Sequence, residues 1–156
     1  MLTHHRRPVN LSLVSTDLPV WSTVETAATL YQKDTDRFHL VLNAPDIHLS
    51  HPLSQCEPMN SRLMWLEISP YRVILTLQGN SQVGYRHFWE QGVYGTSRYW
   101  LQHPDKGEKG SFRLRNFTRY LTLKGYPLPE SLRVEYELWS NHLQLGRYVL
   151  NLDILH

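Results

Sequence analysis

The chain has 156 residues, 41% of them hydrophobic and 19% charged, with a formal net charge of +2. That length fits a single domain, 1–156, which can bury a core without disulfides or a metal. The small charge excludes a global electrostatic argument for nucleic acid or an acidic membrane, and no run approaches the roughly 18 apolar residues of a membrane-spanning helix.

Aromatic residues reach 12%, with five Trp and nine Tyr, and such side chains favour strands. The lone Cys56 allows no disulfide framework within the chain and suits a reducing compartment. The stretch after Arg6-Arg7 carries Asn10, Ser12, Ser15, Thr16 and Asp17, too polar for an export signal. The expectation is a cytoplasmic protein without membrane insertion.

In chain order, residues 1–7 read as a flexible start. Val9, Leu11 and Leu13 alternate with Asn10 and Ser12, the pattern of a strand. Residues 22–33 read as a helix: Ser22 and Glu25 have capping-box spacing, and Trp21, Val24, Ala27, Ala28 and Tyr31 recur at helical intervals. Phe38 to Leu42 is a short strand. Residues 43–61 form a long Pro/Ser-rich loop, longer than most connections in a compact domain.

From Leu63 onward the strand signal is dense. Val83, Tyr85, His87 and Trp89 share one face of a strand, and Leu132, Val134, Tyr136 and Leu138 share one face of another. Phe112 and Leu114 are out of phase with Leu121 and Leu123, which calls for a bulge or turn near Asn116; Gly146 separates two out-of-phase sets in the last strand, as a bulge glycine does. The fold expected is mostly β: an antiparallel β-sandwich or open barrel with one N-terminal helix. Leu143–Ile154 is a candidate edge strand for self-association by sheet extension.

His48 and His51, with Asp46, Cys56 and Glu57 nearby, offer ligand types that zinc accepts, but no metal-binding frame accompanies them, and no metal or cofactor is expected. Cys56 has no local base to activate it. No phosphate loop, dinucleotide fingerprint or nucleophile elbow is present. Glu135 and Glu137 share a strand face with Arg133, which reads as a charge-paired surface rather than an acid–base pair. The chain is therefore expected to be non-enzymatic.

The middle of the chain stands out. Residues 81–129 hold eight basic side chains against three acidic ones, while both flanks are net negative, and aromatic residues interleave with the basic ones. Trp, Tyr and Arg dominate protein-binding hot spots, so the function expected is a protein-binding accessory or adaptor domain acting within a complex. Its partner-binding residues would be Arg98, Trp100, Arg113, Arg115 and Arg119. The same composition admits a single-stranded nucleic-acid (RNA or ssDNA) binding subunit, and an aromatic-rich barrel admits a small apolar ligand in its pocket.

Overall fold

A computed structural model describes residues 3–44, 62–78, 83–102 and 109–156. Ten strands follow in order: β1 (Thr3–Ser15), β2 (Trp21–Gln32), β3 (Phe38–Ala44), β4 (Arg62–Ile68), β5 (Arg72–Gln78), β6 (Val83–Glu90), β7 (Tyr94–Gln102), β8 (Lys109–Lys124), β9 (Ser131–Ser140) and β10 (Leu143–Ile154). Each pairs antiparallel with the next, and β1 pairs with β10 to close the barrel. Closure corrects the expectation of a sandwich or an open barrel. It also removes the proposed edge, because β10 is paired on both sides, with β9 and with β1.

Residues 22–33 are not a helix. Trp21–Gln32 is a strand paired with β1 on one side and β3 on the other. Ala28 and Leu30 face the interior, as do Ser22, Val24 and Thr26 by strand parity, while Trp21 and Ala27 point outward and are exposed. The polar side chains at inward positions 22 and 26 hid the two-residue period. The coincident spacing of Trp21, Val24, Ala28 and Tyr31, which lie on opposite faces, imitated a helix. Four β-branched residues (Thr23, Val24, Thr26 and Thr29) favour the strand.

Residues 3–7, read as a loose start, belong to β1 and pair with Ala28–Gln32. Two register shifts occur where phase changes demanded them: one between Thr118 and Tyr120, a little beyond Asn116, and one between Gln144 and Gly146. Gly146 has φ +150, a conformation that L side chains rarely adopt. Asn43 and Ala44 close β3; positions 45–61, with His48, His51 and Cys56, lie outside the described residues.

The core lies inside the barrel. Leu30, Leu40, Leu66, Val73, Trp89, Val134 and Leu152 are wholly buried. A barrel's width grows with strand number, and eight strands already enclose their own side chains or one small ligand. Ten strands leave more interior to fill, and the filling is uneven. Toward the end where β1 begins, hereafter the base, inward residues such as Val9, Leu30, Ile68, Leu121, Leu132 and Ile154 are buried. Toward the other end, the mouth, Leu13, Val24, Tyr85, Tyr99, Leu114 and Tyr148 remain partly exposed although they face the same interior, and Phe112 is 46% exposed.

Gly95 shows how closely the wall is packed. It pairs with Asn116 on the inward side of β7, and a methyl group there would overlap the carbonyl oxygen of Phe88 and lie 3.0 Å from Asn116 Oδ1. Gly95→Ala should therefore destabilise the barrel by about 1–3 kcal/mol, the cost of overpacking against backbone. Gly110→Ala, whose methyl meets nothing within 4 Å, should change stability by less than about 0.5 kcal/mol. Urea midpoints of the two variants check the contrast.

Candidate functional site

The most polar part of the interior is built by β6, β7 and β8. Register places His87 opposite Ser97 and Ser97 opposite Leu114, with Asn116 one inward position further along β8. Asn116 Nδ2 donates to Ser97 Oγ at 2.8 Å, and Ser97 Oγ lies 2.7 Å from His87 Nδ1. An amide nitrogen only donates, so the serine oxygen accepts from Asn116. Between Ser97 Oγ and His87 Nδ1 the direction follows the imidazole tautomer. Burial pushes the His87 pKa down to about 3, so the ring is neutral at physiological pH.

A serine within reach of a histidine resembles an activated nucleophile. Ser97, however, is wholly buried and its oxygen is held between His87 and Asn116. The chain of hydrogen bonds orients the imidazole. It does not present a hydroxyl to a substrate.

Aromatic rings surround this chain. His87 stacks on Trp89 at 5.0 Å with an interplanar angle of 7°, and meets Tyr99 edge-on at 5.6 Å. Tyr85 and Tyr136 lie 5.1 and 5.8 Å from it, and Tyr148 stacks on Tyr136 at 5.4 Å. At the mouth, Phe112 stacks on Tyr99 at 5.1 Å. Burial raises the pKa of all four phenols; for Tyr99 and Tyr136, repulsion from the neighbouring phenols adds to it. All four stay protonated, so their hydroxyls are neutral and can donate hydrogen bonds. Arg62, at the start of β4, lies close enough to Tyr85 to oppose the rise.

Three polar atoms in this wall have no hydrogen-bond partner: Trp89 Nε1, Asn116 Oδ1 and Thr118 Oγ1, each on a wholly buried residue. Buried polar atoms are rarely left unpaired, because desolvation without a partner is costly. They are positions where an ordered water or the polar group of a ligand is stabilising.

The rim beside Tyr148 is a built turn. Ser15 Oγ accepts from Leu18 N at 3.0 Å, and Asp17 Oδ1 accepts from Arg147 N at 3.0 Å. The backbone donor of Arg147 is the main reason that the Asp17 pKa is lowered. Leu18 and the Tyr148 hydroxyl each sit 3.0 Å from the point where a Gly146 side chain would begin, so the missing side chain lets them meet over the strand.

The five residues expected to bind a partner lie on the outside of the wall. Arg86, Arg98 and Arg113 form one cross-strand row over β6, β7 and β8. Trp100 follows Arg98 on the same face and lies against Gly84, with Arg98 5.9 Å from its ring. Arg115 sits 4.4 Å over the ring of Tyr94. Arg119 is different: it lies 3.7 Å from Glu137, a carboxylate that it shares with Arg147 at 3.8 Å. Sequence reasoning found the outer arginines and missed the Ser97–Asn116 chain. The available signal was a polar residue at an inward position in each of two neighbouring strands.

A groove of about 380 Å³ lies near the base beside Arg37, His39, Glu67 and Arg72, but its arginines are paired, Arg37 with Asp34 at 3.1 Å and Arg72 with Glu90 at 3.8 Å, and burial lowers the pKa of His39, which lies 3.7 Å from Glu67. Among the described residues no group of three His, Cys, Asp or Glu side chains is placed to hold a metal.

No family model matches this chain, and no curated protein matches it in sequence. In structure it is similar to the ywiB protein from Bacillus subtilis, with a TM-score of 0.58 at 13% identity over 99% of this chain and 94% of that chain. At that identity the likeness is one of fold alone. It also aligns with Ail, the attachment invasion locus protein of Yersinia pestis, over 98% of this chain and 96% of that chain at 8% identity, with a TM-score of only 0.27, too low to carry an argument.

Proposed function

We propose that the barrel binds a small ligand with an apolar or aromatic body and a hydrogen-bond acceptor, held in the mouth half of its interior. One observation carries this reading: Tyr85, Tyr99, Phe112 and Tyr148 face the barrel interior yet stay partly exposed, while Leu42, Met64 and Leu77 elsewhere toward the mouth, and most inward residues nearer the base, are buried. The wall supports the ligand class. Rings supply apolar area, and the phenols are donors, so the complementary group is an acceptor such as a carbonyl. The protonation states favour binding that varies little across neutral pH, because neither His87 nor the phenols titrate there.

The neutral fluorescent naphthyl ketone prodan has this chemistry. Titrated into the full chain, it should bind and shift its emission to the blue. Tyr99→Ala should weaken binding by about tenfold, equivalent to one lost ring contact and donor. Tyr99→Phe should fall between that variant and the parent chain, and the outer-face variant Arg98→Ala should leave binding unchanged. Absence of a blue shift, or equal binding by all variants, would overturn the reading.

A further inference from the structure

We infer that the outer face of β6, β7 and β8 is a docking surface for single-stranded nucleic acid, separate from the interior cup. Like charges directly opposite one another on antiparallel strands destabilise a sheet, yet Arg98 pairs with Arg86 on one side and with Arg113 on the other. Arg86 reaches Glu67 only at 4.0 Å, and among the described residues neither Arg98 nor Arg113 has a carboxylate within salt-bridge distance. The row has no carboxylate beyond that distant Glu67, whereas Arg119 and Arg147 share Glu137. The missing counter-charge fits a partner rather than the fold.

The surroundings of the row select the kind of anion. Adjacent strands lie about 4.8 Å apart, so three arginines span about 10 Å and their side chains can follow neighbouring phosphates of an extended strand. Trp100 lies so close against Gly84 that a methyl group there would overlap its indole. Arg98 lies over the half-buried ring, 5.9 Å from its centre, so indole and guanidinium form one platform on which a base can stack. Tyr94, 57% exposed beneath Arg115, gives a second pairing of ring and arginine on the same face. A protein partner, the kind expected from composition, can use the same arginines and rings; like-charged arginines in line beside a ring suit a phosphate backbone carrying bases, and competition by polyglutamate separates the two. The net charge of +2 fits a short footprint, not a long basic groove.

The test uses the full chain and a fluorescein-labelled oligouridylate of about ten nucleotides, within the usual range of site sizes, followed by anisotropy. The oligonucleotide should bind. The logarithm of its affinity should fall against the logarithm of salt concentration with a slope of about −2, the value for three neutralised phosphates on a single strand. Arg98→Glu with Arg113→Glu, and separately Trp100→Leu, should each weaken binding at least about tenfold. Prodan binding should be unchanged in these variants, which separates failure here from failure of the interior site. Circular dichroism and thermal midpoints confirm that the variants fold, and Arg98→Gln with Arg113→Gln, which keeps long polar side chains, should show the same loss. The inference is overturned if the oligonucleotide does not bind, if the salt slope is flat, or if folded Trp100→Leu binds as the parent chain does. It is also overturned if polyglutamate of equal charge competes as well as the oligonucleotide.

Discussion

Acidification from about pH 6.5 to about pH 3 should strip roughly 5 kcal/mol from the stability of the barrel through His87 alone, at about 1.4 kcal/mol per pH unit. The sign follows from which state takes the proton. In the unfolded chain His87 titrates near its ordinary value of 6.5, whereas burial holds the folded value near 3. Across that window the unfolded state binds a proton that the folded state refuses, so stability falls as pH falls. His87→Gln removes this titration. The variant should be less stable than the parent at pH 7 by about 1–3 kcal/mol, the cost of a disturbed buried hydrogen bond. Its stability should also lack the steep fall between pH 6.5 and 4.5, so the two curves should converge as the pH drops. Asp17, whose pKa is also lowered in the folded state, adds acid sensitivity only below the ordinary carboxylate range, outside the window used for the comparison. Urea midpoints at half-unit pH intervals provide the measurement. Parallel curves would mean that the His87 ring is hydrated or charged in the folded protein.

Trp89→Ala should cost about 3–5 kcal/mol, among the largest effects expected of a single truncation. Trp89 is wholly buried, stacked on His87 at 5.0 Å and tilted against Tyr136 at 4.8 Å. Its removal opens a cavity in the base half of the interior, where the neighbouring wall is held by the antiparallel ladder and cannot collapse to fill it. Trp89→Phe should cost much less. It retains a ring against His87 and Tyr136 and deletes the indole N–H, which has no partner in the wall. A difference of less than about 1 kcal/mol between Trp89→Ala and the parent, by chemical denaturation, would show that this part of the interior is loosely packed.

The β character was legible because most strands carry the two-residue period openly, as in Leu132–Leu138 and Tyr148–Ile154. It was hidden in β2, where Ser22 and Thr26 occupy inward positions and Trp21 points outward. Closure was not legible. It depends on β1 meeting β10, through pairs such as Leu13 with Leu150, and nothing in either strand's own pattern names its partner. The face of Arg113 and Arg115 followed from their alternation with Phe112 and Leu114. The balance of Arg119 by Glu137 did not, because a register shift lies between Thr118 and Tyr120. His87 was visible on a face with Tyr85 and Trp89, but its hydrogen-bond partner Ser97 comes from β7, and that serine's partner Asn116 from β8. A single polar residue in an otherwise ordinary strand gains meaning only once the register is known.

The interior cup is tested most directly by measuring where a bound molecule sits. Isotope-filtered nuclear Overhauser spectra of the protein with labelled tyrosine rings, saturated with prodan, should show contacts from the probe to Tyr85, Tyr99 and Tyr148 inside the mouth. Contacts confined to Tyr71, Tyr94, Tyr120 and Tyr126, the exposed tyrosines of the outer wall and base, would place the probe on the surface and contradict the account.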